Sequence, residues 1–194
     1  MRVIEETYPA YPVFRHLLCR LVIGRPNQVR AMDISYIPIH GGLMYLCAVI
    51  DWHSLAVPAW ELSYTLDARF WVQAVDRAVA EHGVREFFNT DQGSQFTSAE
   101  ITQPLLARGV KISMDGRGRA LDHVFVERLW RTVKYDEAYL ESYRSQIEVD
   151  TNLDALFRFY NEQRPHSVFG ITNPRTPVEV YLRVPRFSGH RQPR

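Results

Sequence analysis

The chain has 194 residues, 46% of them apolar and 12% aromatic, with a formal net charge of +1. That length and composition fit one sizeable domain with a real core and exclude wholesale disorder. Near-neutrality confines any surface that meets a polyanion to a local patch, and no run of eighteen apolar residues exists to span a membrane.

Residues 1–28, punctuated by Pro9, Pro12 and Pro26, read as an irregular lead-in. The opening Met1-Arg2-Val3-Ile4-Glu5-Glu6 lacks the apolar stretch of a signal peptide. Cys19 and Cys47 sit among apolar neighbours without metal-ligand spacing, so buried free thiols in a reducing cytosol are expected. Three strands are predicted next. Val29 to Ile39 alternates apolar and polar residues, and Leu43 to Ile50 is almost wholly apolar, as a strand buried on both faces should be. Gly41-Gly42 between them signals a hairpin. Ala56 to Ser63 follows the turn-like Asp51-Trp52-His53-Ser54.

A helix should follow, capped by Thr65 with Asp67 in its first turn and ended by Gly83. Its apolar residues Phe70, Trp71, Ala74, Val75, Ala78 and Val79 recur with helical period. Phe87-Phe88 is a short strand leading into Asp91. Ser98 to Arg108 reads as a second helix stopped by Gly109, Val110 to Met114 as a fifth strand, and residues 115–120 as a flexible basic loop. A third helix is expected from about Asp122 to Tyr135 and a fourth from about Ser145 to Gln163, before Pro165. This order predicts an α/β fold: a ribonuclease H-like core of residues 29–165 with a mixed five-stranded sheet, and a C-terminal extension with a basic tail over 166–194.

Asp33 lies on the first strand, Asp91 just past the fourth, and Glu127 on the third helix; thirty-five residues separate the last two. Three carboxylates brought together without a cation would repel and take up protons. The economical reason to gather them is a hard divalent cation such as Mg²⁺. Two such ions about 3.5–4 Å apart clamp the attacking and leaving oxygens of a phosphodiester displacement. On the third helix, Leu121, Phe125, Leu129 and Thr132, with Val126, Trp130 and Val133, form the stripe expected to pack on the sheet. His123, Glu127, Arg131 and Lys134 stack on the opposite side. An acid among cations on that face suits a metal ligand flanked by phosphate contacts. Singly, a strand-end Asp is usually a turn former and a Glu–Arg pair four apart is usually a solvated helix pair.

Three stretches carry a resemblance: Asp33-Ile34-Ser35-Tyr36-Ile37, Asn89-Thr90-Asp91-Gln92-Gly93-Ser94-Gln95-Phe96-Thr97-Ser98, and Val126-Glu127-Arg128-Leu129-Trp130-Arg131-Thr132-Val133-Lys134-Tyr135. They closely resemble bacterial insertion-sequence transposases whose second reading frame encodes an integrase core like that of retroviral integrases. Similarity extends through Arg25-Pro26-Asn27-Gln28, Tyr160-Asn161 and Arg164-Pro165-His166 to Thr176-Pro177 and Tyr181, covering about residues 10–182. The resemblance implies a cytoplasmic, nucleoid-associated DNA transposase that binds two Mg²⁺, or Mn²⁺ in their place, through Asp33, Asp91 and Glu127. It implies cleavage of one strand at an element end by water and attack of the freed 3′-hydroxyl on another phosphodiester. Lys134 matches a position that contacts the element's terminal DNA. Arg131 follows as a weaker carry-over, with Arg117, Arg119 and Arg128 completing a basic margin. Homo-oligomers on DNA are implied, together with an upstream-frame helix-turn-helix region.

This sequence departs from the family's common pattern at Arg30, where Trp is usual, at Met32, where Thr is usual, and at His123, where Asn is usual. The imidazole of His123, one turn before Glu127, would change charge near neutral pH and so modulate the site. Two other readings stand beside a transposase core. One is a catalytically impaired remnant that only binds DNA or assembles; the other is a nuclease acting on the RNA of hybrids.

Overall fold

The computed structural model describes residues 14–182 except 20, 84, 85, 92, 94, 95, 97 and 115–119; the side chains of residues 68, 81 and 120–123 also lie outside it. β1 (Val29–Ile39), β2 (Gly42–Asp51) and β3 (Ala59–Ser63) form an antiparallel meander. Gly41, at φ 83, makes the β1–β2 turn in a conformation that L side chains rarely adopt. α1 (Ala68–His82) carries the chain to β4 (Phe87–Thr90), which runs parallel to β1. α2 (Ala99–Ala107) leads to β5 (Lys111–Met114), parallel to β4. The sheet order is β3-β2-β1-β4-β5, the mixed five-stranded sheet expected from the sequence.

Alternation along the strands sorts their side chains into two cores. Val29, Ala31 and Ile37 of β1, with Met44, Leu46, Ala48 and Ile50 of β2, face one layer. That layer is α3 (Ala120–Val133) and α4 (Gln146–Glu162), which contribute Val126, Leu129, Trp130 and Val133 and then Val149, Leu153, Phe157 and Tyr160. Met32, Cys47 and Val49 face the other way, toward Phe70, Trp71, Ala74, Val75 and Ala78 of α1 and Ile101 and Leu105 of α2. The result is a three-layer α/β sandwich with a sheet buried on both faces.

Local chemistry shifts several element boundaries. The cap of α1 is Asp67 rather than Thr65: its Oδ1 accepts the backbone N–H groups of Arg69 at 3.0 Å and Phe70 at 3.3 Å. Thr65 instead donates its hydroxyl to Asp67 Oδ2 at 3.1 Å. β3 begins at Ala59 and not at Ala56, because Val57 is clasped from elsewhere. Its N–H donates to Asn161 Oδ1 and its carbonyl accepts from Asn161 Nδ2, both at 2.9 Å.

α3 gives way at Val133 to a π-helical turn, Lys134–Ala138. Val133 and Ala138 are both buried, although five residues would rotate them about 140° apart in an α-helix. The wider turn reduces that offset and keeps both on the core. The lead-in is not loose either. Phe14 packs on one core, Leu18 is buried in the other, and the Leu17 N–H donates to Ser113 Oγ of β5 at 2.9 Å. Cys47 is buried as expected, whereas Cys19 is exposed; both are free thiols.

The segment after α4 closes back on the body. His166 and Arg175 form an antiparallel bridge, followed by α5 (Pro177–Leu182). Thr176 and Glu179 cap α5 reciprocally: Glu179 Oε2 accepts the Thr176 N–H at 2.9 Å and Thr176 Oγ1 accepts the Glu179 N–H at 3.3 Å. Tyr181 then donates its hydroxyl to Asn27 Oδ1 at 2.5 Å and accepts from Arg30 at 2.9 Å.

Candidate active site

The last β1–β4 pair is Ala31 with Asn89. Asp33 and Asp91 each stand two residues beyond it, so continuing the register puts them on adjoining strands and on the same face. Neighbouring strands lie about 4.8 Å apart. Both residues are half-buried. Asp91 closes the exit from β4 on itself, its Oδ1 accepting the Gly93 N–H at 2.8 Å.

Asp33 faces the α3–α4 layer, as Ala31 does. There the indole of Trp130, only 7% exposed, donates Nε1–H to Asp33 Oδ2 at 2.8 Å. This bond ties α3 to the acidic strand. Glu127 sits three residues earlier on α3, exposed, and lines a groove with Arg128, Arg131 and Lys134. The fold therefore places one acid within β1 and one just past the end of its neighbour β4, and mounts the third on the helix pinned to Asp33. Among the described residues, no three His, Cys, Asp or Glu side chains group closely enough to hold a metal ion.

Arg30 and Met32, the departures beside Asp33, point into the opposite layer. Met32 packs in the α1–α2 core. Arg30 is 1% exposed and donates to the Ala78 carbonyl at 2.8 Å, near the end of α1, and to Tyr181. It is a brace joining β1, α1 and α5, on the face away from the carboxylates. Cys47 lies behind the sheet; burial, with Asp33 and Glu61 adding repulsion, pushes its thiol well above the usual range and keeps it protonated. Arg117 and Arg119 lie outside the described residues, and so does the side chain of His123.

Three contributors had no role assigned from sequence. Trp130 was read only as core stripe. Asn161 follows Phe157 by four on the packing face of α4, where a polar side chain must find partners; it finds the Val57 backbone. Arg164 donates to Thr132 Oγ1 at 3.2 Å and Asp136 Oδ2 at 2.8 Å, holding the segment after α4 against the end of α3.

A mixed five-stranded sheet with one acid inside β1, a second just past its parallel neighbour β4 and a third on the helix packed against β1 defines the ribonuclease H-like class. Within it, residues 24–120 match the model described as integrase core domain, and residues 108–174 match a second model of the same description. The chain belongs to the integrase core domain family. It is 30% identical over 152 residues to the transposase InsF for insertion sequence IS3A of Escherichia coli K12, covering 77% of this chain and 53% of that protein. The transposase for insertion sequence element IS904 of Lactococcus lactis is 27% identical over 155 residues, covering 77% of this chain and 60% of that protein. The chain thus spans little more than half the length of these relatives.

Among solved structures, the HTLV-2 integrase catalytic core domain, in complex with magnesium and in dimeric form, superposes with a TM-score of 0.65 at 18% identity. The match covers 81% of this chain and 97% of that one. The simian T-cell lymphotropic virus intasome, in complex with a PP2A regulatory subunit, gives 0.70 at 17% identity, covering 96% of this chain and 64% of that one. These likenesses establish the fold.

Proposed function

We propose that the chain is the catalytic core of a DNA transposase, cleaving a 3′ end of an insertion element and joining it to new DNA. The observation that supports this reading is the parallel β1–β4 register that sets Asp33 beside Asp91, with Glu127 on the helix that Trp130 fastens to Asp33. The donor chemistry fits a hard divalent cation, since all three groups offer carboxylate oxygens. Mg²⁺ held by Asp33, Asp91 and Glu127, two ions per site with Mn²⁺ as substitute, would supply Lewis-acid activation of the attacking oxygen and charge relief at the leaving one. The chain's own part is positioning. Trp130 fixes the Asp33 carboxylate, Gly93 fixes that of Asp91, and Arg128, Arg131 and Lys134 hold backbone phosphates beside Glu127. Arg117, Arg119 and the side chain of His123 lie outside the described residues; the first two are proposed as further phosphate contacts and His123 as a modulator of the site. The integrase core acts as an oligomer on DNA, in the cytoplasm, with an upstream helix-turn-helix region reading the element ends.

Incubating the purified chain with a pre-nicked end of its element and Mn²⁺ tests the proposal. Joined products are expected. Cleavage alone would point to a stand-alone nuclease, and a mobility shift without reaction to a DNA-binding remnant.

A further inference from the structure

Beside Glu127 on α3 lies a groove of about 1200 Å³, which residues 164–168 also line. Its charge is one-sided. Arg164 and Asp136 neutralise each other at 2.8 Å, which leaves Arg128, Arg131 and Lys134 against Glu127 alone in the lining. Two large rings also open into it. Tyr135 is 63% exposed and Tyr139 56% exposed, on a π-helical turn that sets them edge to face with centroids 5.5 Å apart and planes at 87°. A T-shaped pair of this kind covers only one face of one ring, so flat aromatic surface stays open to an incoming ring.

We infer that this groove is a binding subsite for an unpaired DNA strand, with Tyr135 and Tyr139 as its base-stacking platform; the inference rests on the transposase reading of the carboxylates. The cations are suited to phosphates, which both duplex and single strands present. The rings discriminate. Base faces inside a duplex are covered by their neighbours and only edges show in the grooves, whereas an unpaired base offers its whole π-face to an aromatic side chain. The groove adjoins Glu127, so a strand lying in it passes close to the proposed reaction centre. The strand peeled away at an element end is the occupant this arrangement fits. Stacking is indifferent to base identity, so the subsite accepts any sequence.

Fluorescence anisotropy on the full chain in EDTA separates this subsite from catalysis. The probes are a labelled oligothymidine single strand, a blunt duplex, and the same duplex with an unpaired tail. The intact chain is expected to prefer the tailed duplex to the blunt one. Tyr135→Ala and Tyr139→Ala should each weaken binding of the single strand and the tailed duplex about 5- to 150-fold, the range for loss of one base–aromatic stack, and leave blunt-duplex binding unchanged. Tyr135→Phe and Tyr139→Phe keep the ring and should bind as the parent does, which guards against a folding defect in the Ala variants. Equal losses on blunt and tailed duplexes, or no loss on either, would overturn the subsite. Failure of strand transfer with the stacking pattern intact would overturn the transposase reading and leave the subsite standing.

Discussion

Trp130 donates its indole N–H to Oδ2 of Asp33 at 2.8 Å, across ninety-seven positions of sequence. The indole is nearly buried, so the bond satisfies a donor that would otherwise be desolvated without a partner, and it orients the carboxylate from behind. Trp130→Phe removes that donor and trims the bicyclic ring to a single one, keeping an aromatic side chain in the stripe. Losing a buried hydrogen bond to a charged acceptor costs about 1.5–3 kcal/mol, readable by urea denaturation. Partners that orient metal ligands are worth about 10–100-fold in metal affinity or activity. The variant should therefore also need more Mn²⁺ for half-maximal strand transfer. An unchanged Mn²⁺ requirement would reduce Trp130 to a packing residue.

Asp33→Asn tests the carboxylate itself. The amide has nearly the same volume, and its Oδ1 still accepts from Trp130, so the thermal transition should stay close to that of the parent. The ligand charge is gone, and strand transfer should fall below detection. Normal strand transfer by this variant would remove Asp33 from the reaction centre.

Lys134 begins the π-helical turn at the edge of the groove. If its ammonium meets one phosphate, Lys134→Ala should flatten the plot of log affinity against log salt by about one unit. The weakening should be similar across DNA sequences, because a phosphate contact carries no base information. A parallel salt slope would place Lys134 off the backbone.

What the sequence makes legible here is periodic, and what it hides is long-range. Alternation along Val29–Ile39 gives β1 its observed bounds, and the helical stripe leaves Glu127, Arg128 and Arg131 outward and Val126 and Val133 inward. Asp91 stands just beyond β4, which runs past its apolar Phe87-Phe88 through the buried polar Asn89 and Thr90. The start of β3 is different: Asn161, 104 positions away, takes both backbone groups of Val57, and no local pattern encodes that. Periodicity put Trp130 in the stripe but was silent on which acceptor its N–H meets. Cys19 shows the same limit. Only one side of the lead-in packs, so Leu18 is buried while Cys19 beside it is exposed. The cap of α1 was a contest between Thr65 and Asp67, two residues apart, and Asp67 accepts from two N–H groups where one hydroxyl was expected to serve.

Asn161→Ala should destabilise the chain by about 1–3 kcal/mol, since it strands the N–H and carbonyl of Val57 in a partly buried loop. Asn161→Asp separates the two bonds. It retains an acceptor for the N–H but sets a carboxylate against the Val57 carbonyl, so it should be destabilised as well. Equilibrium urea unfolding measures both. Stability equal to the parent in both variants would mean that the clasp merely accompanies the fold.

His166 gives the fold a dependence on pH. Its ring packs edge to face on Tyr160, with centroids 4.9 Å apart. Burial, and then the charge of Arg164, hold its pKa below the ordinary imidazole value. The unfolded chain has its His pKa at about 6.5. Above that, neither state holds the proton and His166 contributes nothing to pH dependence. Below it, the unfolded chain binds a proton that the folded chain refuses until its own lower pKa is reached. Stability therefore drops as pH falls through about 6.5 and goes on dropping until the folded ring titrates. His166→Gln removes the titration, so its urea midpoint should change less than the parent's between pH 7.5 and pH 5.5. The difference between the two proteins should vanish from pH 7 upward apart from a constant offset. A midpoint difference that stays constant across the whole range would show that His166 titrates alike in both states.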